Sequence, residues 1–261
     1  MLALACALQS VQGADLSGTA ETGFLAVLGH RIQLSKDGTY FDYRREGGQD
    51  VLFAVTRFTL DWRVSPKHCL TLLYQPLALE SREVLRRDVS VDGLVYPAGT
   101  GLVCRYYFPF YRASYLRDFS PEKNRETAVG LSLQIRNATI EFESTDGSRL
   151  RVQHDIGPVP IIKVRLRRPL GRAFWWGMEG DGFYAPISYL NGSDTEVTGA
   201  ILDASGRAGL RLSDKADVFL NLRYLGGGAV GQSREEGDWG DGYVKNWLHF
   251  MTVTAGFSRG F

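Results

Sequence analysis

From Met251 to Phe261 the chain reads MTVTAGFSRGF, with apolar residues at nearly every second place. Counted back from the end, one parity holds Phe261, Arg259, Phe257, Ala255, Val253, Met251, His249 and Trp247. The other holds Gly260, Ser258, Gly256, Thr254, Thr252, Phe250, Leu248 and Asn246. A period of two is the signature of a strand, here apolar on one face and mostly small or hydroxylated on the other. The alternation recurs upstream. Phe58, Leu60, Trp62 and Val64 oppose Arg57, Thr59, Asp61 and Arg63, while Phe174, Trp176, Met178 and Tyr184 oppose Glu179 and Asp181. Ala204, Ala208, Leu210 and Leu212 face away from Asp203, Arg207 and Arg211, and Leu220, Leu222 and Tyr224 face away from Asn221 and Arg223.

This pattern predicts ten strands, over 23–35, 52–64, 68–79, 101–117, 126–142, 150–168, 172–186, 197–212, 217–227 and 245–261. Short turns (65–67, 120–124, 168–171, 213–217) alternate with longer or more polar links (44–51, 80–99, 144–149, 187–196, 228–244). No helical crossover fits between the strands, so neighbours are expected to pair antiparallel. A soluble β-sandwich would show similar two-tone strands, with its apolar face inward. Three features favour the opposite arrangement. The strands exceed the usual ~5–6 residues of soluble sheets and reach the ~9–11 that cross a bilayer. Short turns on one side and long loops on the other belong to transmembrane barrels. Aromatic residues also gather near strand ends (Trp62, Phe174, Trp175, Trp176, Tyr224, Trp247, Phe261), as interfacial girdles require. The expected fold is therefore all-β: a closed antiparallel transmembrane β-barrel of about ten strands in an up-and-down meander.

On these residues the chain resembles the Gram-negative outer membrane β-barrel proteins, which end on a strand of alternating apolar residues with a terminal phenylalanine. Val253, Ala255, Phe257 and Phe261 match that signal; Arg259 stands where an apolar residue is usual. The resemblance implies residence in the bacterial outer membrane, contact with its lipids, and recognition of the last strand by the barrel assembly machinery. It covers residues 21–261 as architecture but only the last strand as a motif, and does not specify a function.

Composition agrees. The 261 residues include 30 glycines and 12% aromatics, and the net charge of +1 gives no basis for nucleic acid as a partner. Residues 1–20 resemble the rear of a secretory signal peptide, with Leu2–Leu8 as its apolar core and small residues at Val11–Ala14 for cleavage, although a basic start is missing. A lipid anchor at Cys6 fits less well, because Ala3-Leu4-Ala5 lacks the usual leucine three residues ahead of the cysteine.

If the polar parity faces inward, the lumen holds Arg57, Asp61, Arg63, Arg136, Lys163, Arg165, Arg167, Glu179, Asp181, Asp203, Arg207, Arg211 and Arg223. A barrel of ~8 strands is filled by its own side chains and one of ~16–18 leaves a channel, so ten lies near the filled end. The first expectation is thus a structural salt-bridge network in a surface or structural protein, with a narrow porin-like passage leaning toward anions as its functional extension. The alternative is an outer membrane hydrolase acting on lipid or peptide at the cell surface. His154-Asp155 is its best acid–base pair, and Phe108 with Phe110 could line an acyl pocket. The acid pair and acid–histidine pair of omptin proteases find no residue-by-residue match, and the His-x-Ser of small-barrel lipid A deacylases does not occur. No catalytic residue, cofactor or metal site is assigned. Glu235, Glu236, Asp238 and Asp241 in the last long loop could touch a cation, but their spacing fits no calcium loop. A disulfide between Cys69 and Cys104 is not expected, since they belong at opposite ends of adjacent strands, on the order of 30 Å apart at ~3.3 Å per residue.

Overall fold

A computed structural model describes residues 15–122, 124–186, 196–232 and 241–261. The acidic positions Glu235, Glu236 and Asp238, the segment before Asp15, and the side chains of Arg136 and Asp155 lie outside the described residues. The strands are β1 (Asp15–Leu34), β2 (Phe41–Asp42), β3 (Leu52–Ser65), β4 (His68–Gln75), β5 (Ala78–Val84), β6 (Val89–Val91), β7 (Leu94–Tyr96) and β8 (Gly101–Tyr107). They continue with β9 (Phe110–Asp118), β10 (Glu126–Ser144), β11 (Leu150–Leu170), β12 (Phe174–Pro186), β13 (Glu196–Ser213), β14 (Ala216–Gln232) and β15 (Tyr243–Gly260).

Ten of these positions form a closed antiparallel barrel, because β4 with β5, and β8 with β9, each make one interrupted wall strand. The ring runs β11-β12-β13-β14-β15-β1-β3-β4-β9-β10, and the β10–β11 pairing closes it. The two interruptions fall at Pro76 and Pro109, which have no N–H to give to a ladder; the alternation alone predicts unbroken strands there. The first strand also starts at Asp15 rather than at 23, and β1 pairs with β15 from Ser17↔Gly260 upward.

The exterior is apolar. Phe24, Leu72, Leu131, Ile162, Met178, Leu220, Val253 and Phe257 are all exposed on outward positions. In water, an apolar surface on every wall strand would be an aggregation liability; in hydrocarbon it is the required solvent match. Of the aromatics expected in the girdle, Trp175 departs, and Phe219 joins it inside. Trp175 and Phe219 point into the lumen and are buried, in space left by glycines on neighbouring strands. A Cβ at Gly209 would fall 2.4 Å from the Trp175 ring, and one at Gly256 would fall 2.2 Å from Phe219.

Along β10 the two faces exchange character. Toward the short-turn rim, Leu131, Leu133 and Ile135 lie outside, while Ser132 and Gln134 are buried inside. Past Asn137, the outward positions are Thr139, Glu141 and Glu143, and the buried ones are Ala138, Ile140 and Phe142. Neighbouring β5 and β8 follow suit. Outside, Arg105 reaches Glu80 (3.3 Å), Glu141 (3.2 Å) and Glu143 (2.7 Å); inside, Leu79, Leu102, Cys104 and Tyr106 are buried. Water therefore bathes the wall above this level, and lipid covers it below.

Above Pro76 the wall is split. β5 pairs only with β8, and Leu52–Arg57 of β3 has only β1 beside it. The β1–β3 connection fills the split. Its Phe41, Tyr43 and Gln49 are buried, Tyr43 stacks on His30 at 4.0 Å, and Gly48 lies so close to the Arg82 carbonyl that a Cβ there would sit 2.8 Å away. Gly48 also has φ +61°, the left-handed region where glycine is favoured. The β6–β7 hairpin then folds over the barrel mouth. Thr39 N–H donates to Ser90 O (2.8 Å), Tyr96 Oη–H donates to Phe142 O (2.7 Å), and Asp92 pairs with Arg151. In the exposed β10–β11 turn, hydrogen bonds from the Ser144 side chain and from Ser148 hold the Asp146 carboxyl down at about 2.

The polarity exchange can be tested. Leu131→Arg, in the lipid band, should cost about 2–4 kcal/mol of folding free energy in lipid vesicles. Thr139→Arg, above the exchange, should cost under about 1 kcal/mol. Equal costs in urea titrations would place the membrane boundary elsewhere.

Candidate functional site: the charge network in the lumen

The inward parity gathers its charges into two connected belts. In the central one, Asp203 is 1% exposed and faces three guanidinium groups: Arg57 (3.4 Å), Arg112 (3.2 Å) and Arg223. Lys163 Nζ donates to Glu179 Oε1 (2.8 Å) and Asp181 Oδ2 (3.0 Å), and Arg112 pairs with Asp181 at 2.9 Å. Glu21 accepts from Asn221 Nδ2 (2.7 Å), Thr254 Oγ1 (2.8 Å) and Arg207 Nη2 (3.1 Å). Gln75 accepts from Arg57 (2.9 Å), and Gln134 accepts from Arg112 Nε and Nη2 (3.0 and 2.6 Å). Every wall strand thus supplies at least one member, from Glu21 on β1 to Thr254 on β15.

The second belt lies nearer the short-turn rim. Arg165 bridges Asp61 (2.9 Å) and Glu126 (2.8 Å), Arg63 bridges Asp118 (3.3 Å) and Glu126 (3.1 Å), and Arg167 pairs with Asp217 (2.9 Å). Arg167 also lies over the Trp175 ring, 4.0 Å from its centroid, and Arg207 lies over Phe219 at 5.3 Å. Carboxylates removed from bulk water in this way are tolerable only when charged donors satisfy them. Arg211 shares the inward parity at the rim, in register with Asp217.

The alternation missed Glu21, Arg112, Asp118, Glu126 and Asp217. Glu21 precedes the expected first strand. Arg112 and Asp118, however, alternate with Tyr111, Ala113 and Tyr115, a signal present in the sequence. Among the described residues, ion pairs join eight luminal cations (Arg57, Arg63, Arg112, Lys163, Arg165, Arg167, Arg207, Arg223) to eight carboxylates (Glu21, Asp61, Asp118, Glu126, Glu179, Asp181, Asp203, Asp217). The excess of cations suggested by the sequence is absent from these pairs.

Other candidates fall elsewhere. His154 is exposed on the outer wall, where its Nδ1 meets Thr139 Oγ1 at 3.1 Å. His249 is exposed beside Tyr224 (2.6 Å), His68 meets Tyr115 (2.6 Å), and His30 is buried against Gln49 (3.2 Å). Phe108 and Phe110 do face inward, but within a packed apolar core above the central belt rather than an open pocket. Cys69 and Cys104 are both free and buried, the first near Asp61 and Thr71, the second in that apolar core. Val253, Ala255 and Phe257 line the outward face of β15, and Phe261, just past its end, is exposed with its ring over Gly18.

No family model matches the chain, and no curated protein matches it. Solved structures do. The outer membrane protease OmpT from Escherichia coli superposes with a TM-score of 0.52 at 12% identity, covering 97% of this chain and 98% of that one. The fold is that of the bacterial outer membrane β-barrels. The attachment invasion locus protein Ail of Yersinia pestis (7% identity, 93% and 97% covered, TM-score 0.35) and the outer membrane protein OprG from Pseudomonas aeruginosa (12%, 95% and 99%, 0.30) are also similar. In an outer membrane barrel the short turns face the periplasm and the long loops the exterior. The second belt is accordingly periplasmic, and the β6–β7 hairpin caps the outer mouth of this barrel.

Removing one carboxylate from the central belt strands several buried cations. Asp203→Asn should cost about 3–5 kcal/mol in micellar unfolding experiments. Asp217→Asn, at the partly exposed rim, should cost under about 1 kcal/mol.

Proposed function

We propose that the chain is a structural, surface-exposed outer membrane barrel whose lumen is sealed rather than conducting. The observation carrying this reading is the central belt, to which every wall strand contributes and whose charges are ion-paired across the lumen. Apolar residues from Leu25, Val55, Phe110 and Phe250 pack above it, and the β6–β7 hairpin lies over them. An ion entering would have to cross the apolar layer and then displace paired charges. Against the anion-leaning passage suggested by the sequence, eight of its luminal cations are matched by eight ion-paired carboxylates.

What the barrel offers to the exterior is its water-exposed upper wall. There Arg105 with Glu80, Glu141 and Glu143, Arg82 with Glu80, and Arg87 with Glu46 form a face of paired charges. The hydrolase reading has the fold likeness to the protease OmpT in its favour. Against it, each of the four histidines hydrogen-bonds a neutral partner, and His154 lies outside the barrel.

Planar-bilayer recordings test the sealed lumen. The wild-type protein should give no stepwise conductance, and deleting residues 88–97 to remove the hairpin should leave it silent, because the central belt remains. Steady anion-selective steps from the wild type would overturn the reading.

A further inference from the structure

The outer wall carries a concavity that barrel closure does not require. Two successive outward rows across six strands line it. One runs Arg259, Gly18, Leu60, Leu72, Ala113, Leu133 and the next Phe257, Ala20, Phe58, Tyr74, Tyr111, Ile135, each in direct register from β15 to β10. Together they line an open groove of about 800 Å³ on the outer wall. Small residues on its floor (Gly18, Ala20) and aromatic neighbours (Phe58, Phe257) produce the depression, and the Phe261 ring closes one side over Gly18.

The groove has a direction. Arg259 is the penultimate residue of β15, at the periplasmic rim, whereas Leu133 lies well inside β10. The rows therefore climb from the headgroup level into the bilayer. Five interstrand spacings of ~4.8 Å give about 24 Å, and at a strand tilt near ~40° that path rises roughly 15 Å, half the ~30 Å hydrocarbon core. Arg259 is an exposed cation at the low end of this apolar track, in the position where the terminal-strand pattern calls for an apolar residue.

We propose that this groove binds one anionic phospholipid of the periplasmic leaflet, with its phosphate on Arg259 and an acyl chain lying over Gly18 and Ala20 toward Ile135. The departure at Arg259 is then a headgroup contact, and the small residues beside it make room for the chain. The proposal is independent of whether the lumen is sealed.

Refolding the full chain from denaturant into micelles doped with phosphatidylglycerol or phosphatidylcholine, followed by native mass spectrometry, tests it. Wild-type protein should retain one phospholipid and prefer phosphatidylglycerol by about fivefold, the ratio one interfacial cation is worth. Arg259→Gln should abolish the preference while keeping a lipid bound, and Arg259→Lys should restore most of it. Ala20→Trp should eject the lipid; if that variant fails the heat-modifiability check for folding, Ala113→Phe fills the same groove from β9. Equal retention by wild type and the filled-groove variant, or an unchanged preference in Arg259→Gln, would overturn the proposal. Conductance recordings on Ala20→Trp separate the two ideas, since loss of the lipid leaves the lumen shut.

Discussion

Backbone hydrogen bonding in hydrocarbon is the constraint on which this structure depends. No water is present there to satisfy an open sheet edge, so the sheet must close on itself, and here the β10–β11 ladder closes it. Closure forces the two parities of every strand to face different media. Outward positions must be apolar, and the interior receives whatever polar residues remain. The split in the wall above Pro76 obeys the same rule. The stretch Leu52–Arg57 of β3 is paired with β1 on one side only, and the buried residues Tyr43 and Gln49 are packed into the region on its other side. A free edge is tolerated because protein, not lipid, covers it.

Much of this was legible in the sequence because a period of two survives any detail of packing. The ten wall strands, their antiparallel order and the apolar exterior follow from the alternation and turn spacing. The breaks at Pro76 and Pro109 were written there too, since a residue without an N–H interrupts a ladder, but alternation carries on across them and hides them. The polarity exchange is subtler. In β10 the run Leu131, Leu133, Ile135 gives way to Thr139, Glu141, Glu143 on the same parity, so equating polar with inward holds only within the membrane. This is why His154 lies outside the barrel although it belongs to a polar segment; Trp175, at the opposite end of its strand, points inward by plain alternation with Glu179 and Asp181, into the space left at Gly209. The charge network was half legible. Its cations on β11 to β14 stand out, whereas Glu21 and Arg112 belong to strands whose boundaries the pattern blurred.

The apolar core of the upper barrel follows from that exchange. Above the membrane the wall has water outside and so behaves like an ordinary soluble sheet, with Leu79, Leu102, Tyr106, Ile140 and Phe142 buried inside. Below it the wall has lipid outside and charges inside. One continuous set of strands thus carries two opposite cores, stacked end to end. Their junction lies where Leu25, Val55 and Phe110 rest above Arg57, Arg112 and Arg223, all of them buried.

The central belt also bears on which barrel forms. Buried ion pairs seldom add stability over apolar packing, so their presence here needs another reason, and register supplies one. A strand slipped by one residue turns its inward face to the lipid. For β3 that slip would place Arg57, Asp61 and Arg63 in hydrocarbon, at about 2–4 kcal/mol for each arginine near the midplane, and would leave Asp203 and Glu179 short of a partner. The same holds for Lys163 and Arg165 on β11, and for Arg207 on β13. Apolar residues inside would carry no such penalty, because an apolar side chain is equally at home on the lipid face. A belt with charged members on seven of the wall strands therefore discriminates against slipped barrels in a way that a greasy lumen cannot, and the discrimination is strongest at the carboxylate that holds three other strands at once, Asp203.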